Sequence, residues 1–223
     1  MRLSNWWILF VLIIMGLIVG SFLFVLILDK PKPKSNITDP QDCVVLIYTS
    51  SGLGTGVVVD PNGIVLTAGH VIKNHYFDEN ILPTSVVFAD GTKYDEFEYI
   101  YVDEHVDVAY FKIKNARNLP YLKFGDFFEL SIGDNIWAIG MPFGEEWWTS
   151  YGYISKDSKG GTIYMDISLN PGNSGCPILN DKNEIVGICT GGILPGNDMS
   201  FGHTSNICKA IFEQYKWLFD LHE

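Results

Sequence analysis

Beyond Gln41 the chain is a series of short runs rich in Val, Ile, Tyr and Phe, each closed by Gly, Asn, Asp or Pro. This pattern constrains the fold more than any other feature. Brief runs of β-branched and aromatic residues between turn formers suit a pleated strand and are too short and too stiff at χ1 for a helix. The candidate strands are CVVLIYT, GTGVVVD, IVLTAG, SVVFAD, KYDEFEYIYVD, VDVAYFKI, DNIWAIG, TSYGYIS, GTIYMDI, CPILN and EIVGICTGG. Asp60-Pro61-Asn62-Gly63, Asp90-Gly91 and the stretch from Asn180 to Asn183 predict hairpins. Only the tail from Lys209 changes period, placing Ile211, Phe212, Tyr215, Leu218 and Phe219 on one helical face. Many short strands with no alternation of strand and helix predict an all-β fold, as antiparallel barrels or a sandwich.

Ahead of this domain, Trp6 to Leu28 carries no charge and only Ser21 as a polar side chain. As a helix the run would extend roughly 35 Å, enough for a hydrocarbon core of about 30 Å. A cleavable signal peptide would have a shorter apolar region ending in a small-residue site, and no alanine occurs before Ala68. Residues 1–28 are therefore expected to be an uncleaved transmembrane anchor, with Trp6 and Trp7 at one interface. Residues 29–42, polar and proline-rich, read as an extended linker, and 43–223 as the main domain. Arg2 and the terminal amine precede the helix while Lys30, Lys32 and Lys34 follow it, a one-charge lean towards a cytoplasmic domain. Asn36-Ile37-Thr38 matches a glycosylation acceptor so close to the anchor that it reads as chance.

Charge excludes some functions. The chain has 15 Lys and Arg against 26 Asp and Glu, a net charge of −11, which counts against nucleic acid or another polyphosphate as partner. The four cysteines, at 43, 176, 189 and 208, have neither zinc-ligand spacing nor the density of a disulfide miniprotein. Cys176, Cys189 and Cys208 read as small buried residues, with one disulfide expected if the domain faces an oxidising space.

Three segments place a reactive side chain beside small residues at a strand end: LTAGHV with His70, EHVDVAYFKI with Asp107, and NPGNSGCP with Ser174. Acyl transfer needs this set. A serine hydroxyl requires an imidazole to take its proton and return it to the leaving amine. The imidazole needs a carboxylate on its other nitrogen to hold one tautomer and stabilise its positive form. The tetrahedral oxyanion needs backbone N–H donors, and glycine beside the nucleophile lets them approach. His70, Asp107 and Ser174 are the candidate base, orienting carboxylate and nucleophile, and the N–H groups of Gly172 and Ser174 the candidate oxyanion donors.

In this setting the domain resembles a trypsin-like (chymotrypsin-fold) serine protease, most closely the HtrA/Deg branch. The resemblance is carried in order by GTGVVVDPNGIVLTAGHVI, VVFADGTKYDEFEYIYVDEHVDVAYFKI, LKFGDFFELSIGDNIWAIGMPFG and MDISLNPGNSGCPILNDKNEIVGI. The order His, Asp, Ser is also that of this fold. It implies two antiparallel six-stranded β-barrels, about 43–118 and 119–208, then a C-terminal helix over 209–223, with the catalytic residues meeting in the cleft between barrels. It further implies a serine endopeptidase acting on unfolded or misfolded polypeptides through an acyl-enzyme. No cofactor or metal is expected, a homotrimer is one assembly the branch adopts, and the domain is placed outside the cytoplasm. The PDZ domain of many relatives is expected to be absent, and Cys176 stands where relatives usually have glycine. For substrate contacts it points to Ser168, Asn170 and Pro171 before the nucleophile, to Thr190 and Gly191 on an edge that would pair with an extended peptide, and to Phe201, Gly202 and His203 as pocket walls. Small or medium apolar residues are expected before the cut.

Several of these residues have competing readings. Ser174 could be an ordinary turn serine, Asp103 could replace Asp107 as partner of the histidine, and His75, His105 and His222 read as surface residues. A metal site from His70 and His75 lacks a helix to present both imidazoles. GLGTG precedes a strand, against a phosphate loop. The alternative function is a catalytically inactive peptide-binding or chaperone-like module on the membrane.

Overall fold

The structure, a computed structural model, describes residues 39–74, 79–80, 83–157, 160–192 and 199–220. The expected anchor and nearly all of the linker lie outside these residues, as do His75 and His222. Among the described residues no helix is long and apolar enough to cross a membrane.

The first half contains β1 (Val44–Thr49), β2 (Leu53–Asp60), β3 (Ile64–Ala68), β4 (Lys73–Asn74), β5 (Glu79–Asn80), β6 (Pro83–Phe88), β7 (Lys93–Tyr94), β8 (Phe97–Asp103) and β9 (Val108–Ile113). Seven of these form one sheet in the order β7-β6-β1-β2-β3-β9-β8, while β4 and β5 pair only with each other. The second half contains β10 (Asn135–Gly140), β11 (Trp148–Asp157), β12 (Thr162–Asp166), β13 (Pro177–Leu179), β14 (Ile185–Gly192) and β15 (Met199–Thr204). These close into a six-stranded barrel in the order β10-β11-β12-β15-β14-β13. The three predicted hairpins are present: Gly63 N donates to Asp60 O at 3.0 Å, Gly91 N to Phe88 O at 3.0 Å and Asn183 N to Asn180 O at 2.9 Å.

Two closed barrels were expected, and the first is corrected to a sheet with two edges. Its ladder does not run on from β8 to β7. KYDEFEYIYVD, expected as one strand, is divided between Tyr94 and Phe97. The remaining β7 is two residues long, and the β8–β9 register shifts between Glu98 and Tyr101. The tail is also corrected: its helix starts at Ser205 and runs to Tyr215, followed by a short turn of helix at Trp217–Asp220. Cys208 and Ile211 are both buried, so the apolar face begins before Lys209. β15 was not among the candidate strands, although its Phe201, Gly202 and His203 were expected as pocket walls.

Alternation along β2 shows how the core is divided. Val58 joins a cluster inside the sheet with Val45, Ile47, Val65 and Phe111, whereas Val57 and Val59 join Leu66 and Tyr110 against Ile139, Leu179 and Ile188 of the barrel. A strand buried on both faces reads as an unbroken apolar run because successive side chains point to opposite sides. Each Val, Leu or Ile so buried contributes about 1.5–3 kcal/mol. The helix completes the joint: Tyr110 donates to Cys208 O at 2.7 Å, and Lys112 to Phe219 O at 2.9 Å.

Candidate active site

The register of β3 against β9 determines the first two candidate residues. Ala68 is paired with Val108, so the chain just past β3 lies beside the residue just before β9. Gly69 N donates to Asp107 O at 2.9 Å, and His70 N to Asp107 Oδ1 at 2.7 Å. The second carboxylate oxygen, Oδ2, meets His70 Nδ1 at 2.8 Å. Asp107 thus holds both the backbone and the ring of His70, and Nε2 is the ring nitrogen left for proton transfer. The geometry requires Asp107 to adopt φ 56°, a left-handed conformation that Asp tolerates better than most residues. Asp103 is engaged elsewhere, its Oδ1 accepting from His105 N at 3.0 Å and Val106 N at 3.1 Å to close the turn before Asp107.

Ser174 lies in the loop from β12 to β13. Asn173 N donates to Asn170 O at 3.0 Å, Cys176 N to Asn173 O at 2.9 Å and Gly175 N to Cys189 O at 2.8 Å. Among the described residues neither Gly172 N nor Ser174 N donates to a protein acceptor, while the neighbouring N–H groups of Asn173, Gly175 and Cys176 are engaged. No hydrogen bond joins Ser174 to His70 among the described residues.

The first half holds this loop through Thr55, a fully buried residue of β2. Thr55 N donates to Ser174 O at 2.8 Å, and Thr55 Oγ1 to Gly172 O at 2.7 Å. Thr67 Oγ1 in turn donates to Thr55 O at 2.7 Å. The approach is so close that a Cβ on Gly175 would run into Thr55 O and Thr67 Oγ1 and come within 2.8 Å of Ala68 N. The Ser174 loop therefore presses on the end of β3, the strand that leads directly to His70. Sequence reasoning missed Thr55 and Thr67. The available signal was a polar Thr in each of two otherwise apolar buried strands, since a buried hydroxyl needs a partner.

Ser168, Asn170 and Pro171 are exposed on the approach to Gly172. Thr190 is buried with its Oγ1 unpartnered, and Gly191 lies opposite Phe201. Gly202 packs under Ile188 O, where no side chain fits. His203 is paired with Ile188 and Thr162, and its Nδ1 is buried without a partner. Burial lowers its affinity for a proton, an effect the Asp107 carboxylate opposes. Cys176 is fully buried inside the barrel with Cys189. Among the described residues no group of three or more His, Cys, Asp or Glu side chains could hold a metal.

Residues 54–188 match the family model for the trypsin-like peptidase domain. A probable periplasmic serine endoprotease, DegP-like, from Chlamydia pneumoniae is 37% identical over 61% of this chain and 28% of its own length. Serine protease HTRA1 from Xenopus laevis is 36% identical over 61% of this chain and 31% of its own. The crystal structure of a serine endoprotease from Yersinia pestis superposes with a TM-score of 0.67 at 28% identity, covering 82% of this chain and 67% of that one. The chain spans about a third or less of the length of these curated relatives. With a match covering more than half of its residues, the chain belongs to the trypsin-like peptidase domain family, and the relatives it resembles are serine endoproteases of the HtrA/DegP kind.

Proposed function

We propose that this chain is a serine endopeptidase that hydrolyses unfolded or misfolded polypeptides outside the cytoplasm, held to a membrane by residues 1–28 and spaced from it by residues 29–42. The reading rests above all on the double grip of Asp107 on His70, which leaves Nε2 as the other ring nitrogen, at the end of a strand, β3, against which the Ser174 loop packs. In this reading Ser174 Oγ attacks the substrate carbonyl carbon while its proton passes to His70 Nε2. The imidazolium is stabilised by Asp107 Oδ2. The oxyanion takes the spare N–H groups of Gly172 and Ser174, a contribution of about 10²- to 10³-fold per donor. Collapse breaks the C–N bond, His70 returns its proton to the leaving amine, and water repeats the sequence on the acyl-enzyme. An extended substrate would lie along Thr190 and Gly191, with Ser168, Asn170, Pro171 and His203 near the residue before the cut. A homotrimer is the assembly this reading carries over from the branch.

A fluorophosphonate probe tests the mechanism on the full chain. Covalent labelling of Ser174, lost in His70→Ala, is the expected result. A folded protein that binds unfolded peptide equally well with or without Ser174→Ala, takes no label and cuts nothing would instead be an inactive binding module.

A further inference from the structure

Two of the four buried cysteines face each other at the candidate active site. Gly175 N donates to Cys189 O at 2.8 Å and Cys189 N donates to Cys176 O at 3.0 Å, so Cys176 lies opposite Cys189, one step beyond the Pro177–Ile188 pair that opens the β13–β14 ladder. Opposed residues in an antiparallel ladder have Cα atoms about 4.5–5.5 Å apart, inside the window of about 4.4–6.8 Å for a disulfide. Both side chains enter the same core cluster inside the barrel, whereas Cys43 and Cys208 belong to the separate cluster that joins sheet, barrel and helix. All four thiols are free in this structure.

We propose that Cys176 and Cys189 are a dithiol–disulfide pair, and that its oxidised form staples the loop carrying Ser174 to the strand carrying Thr190 and Gly191. Closure is a thiol–disulfide exchange with a disulfide carrier, either a small-molecule disulfide or the disulfide of an oxidoreductase. The Cys189 thiolate attacks one sulfur of the carrier and displaces the other as thiolate, giving a mixed disulfide. The Cys176 thiolate then attacks Cys189 Sγ and displaces the second carrier thiol. The protein loses two protons and two electrons, and the carrier, reduced to two thiols, gains them. The neighbouring Cys189 thiol and burial push the Cys176 thiol well up. Thiolate is then scarce once the barrel has sealed, so the pair closes while the chain folds. The consequence for catalysis rests on the reading of Ser174 as nucleophile, but the bond itself does not.

The test is refolding of the full chain from urea in a mixture of reduced and oxidised glutathione. Thiols are then counted in denaturant and disulfide-linked peptides mapped without reduction. The expected result is a loss of two thiols and one linked peptide pair joining residues 176 and 189. The oxidised protein should melt roughly 5–10 °C above the reduced one, a difference absent from Cys176→Gly and Cys189→Ala. If those variants fail to fold, the thiol count and peptide map of the unsubstituted chain decide alone. Four free thiols in natively refolded protein would overturn the proposal, leaving two ordinary core cysteines, and so would a map that pairs either residue with Cys43 or Cys208. Ser174→Ala should form the link to the same extent. A link without fluorophosphonate labelling would defeat the catalytic reading and leave the disulfide standing, and labelling without a link would do the reverse.

Discussion

The two halves of the molecule hold their parts of the site by different means. In the sheet, His70 and Asp107 are neighbours because β3 and β9 are paired, and one carboxylate bonds both the backbone and the ring of the histidine. This part is local to one ladder. In the barrel, the Ser174 loop takes its support from both sides: Cys189 holds it from within the barrel, while Thr55 and Thr67 hold it from the sheet. The candidate base is therefore built by one half, and the Ser174 loop is a property of the joint between them. Damage to the first should remove chemistry while sparing the fold, and damage to the second should affect both.

The largest effect on this contrast should come from Ser174→Ala or His70→Ala. Either should lower cleavage of an unfolded polypeptide by about 10⁴- to 10⁶-fold, with circular dichroism and melting unchanged. A residual rate near the unsubstituted value would remove the chemistry from these residues. Next, Asp107→Asn keeps a residue that tolerates φ 56° and should still cost about 10⁴-fold in kcat by favouring the wrong imidazole tautomer. A change confined to KM would speak against that role.

Thr55→Val probes the joint. It keeps the shape and the Thr55 N bond to Ser174 O but removes the hydroxyl donor to Gly172 O, leaving a buried carbonyl short of a partner, at about 1–3 kcal/mol of stability. Urea unfolding should record the loss, and fluorophosphonate labelling should slow in parallel. Unaltered labelling in a destabilised protein would show that Thr55 supports the fold alone.

The smallest effect is one of pH. Burial lowers the pKa of His203 from an ordinary value of 6.5, so the unfolded chain binds its proton more readily than the folded one. The stability tied to this neutral imidazole is full above that ordinary value and is lost as pH falls through it. Melting temperature should drop on acidification from about pH 7.5 to about pH 5.5, and His203→Phe should flatten that slope. Equal slopes in the two proteins would mean that His203 is not the group responsible.

Much of this was legible in the residues. Asp60-Pro61-Asn62-Gly63 and its counterparts make local turns whose hydrogen bonds span only a few residues, so the hairpins need no distant information. The motif around Asp107 was readable too, although its left-handed backbone was not, since nothing in EHVD announces that φ turns positive there. β15 escaped because MSFGHT offers few apolar residues. Its membership of the barrel depends on Gly202 fitting under Ile188 O, a contact between distant segments. The same holds for the edge where the first half fails to close. KYDEFEYIYVD looks like one long strand, and its interruption is settled by pairing with β6 on one side and β9 on the other.

By itself the sequence determined the strand-rich class, the positions of the turns and the three residue types that acyl transfer requires. Propensity, hairpin geometry and side-chain chemistry act over a few neighbouring residues, and so can be read from them. Tertiary structure alone decided that Asp107 grips both the backbone and the ring of His70, that Thr55 carries the Ser174 loop, and that Cys176 opposes Cys189. Each of these is a pairing between segments distant in the chain, governed by strand register and by how closely two backbones can approach.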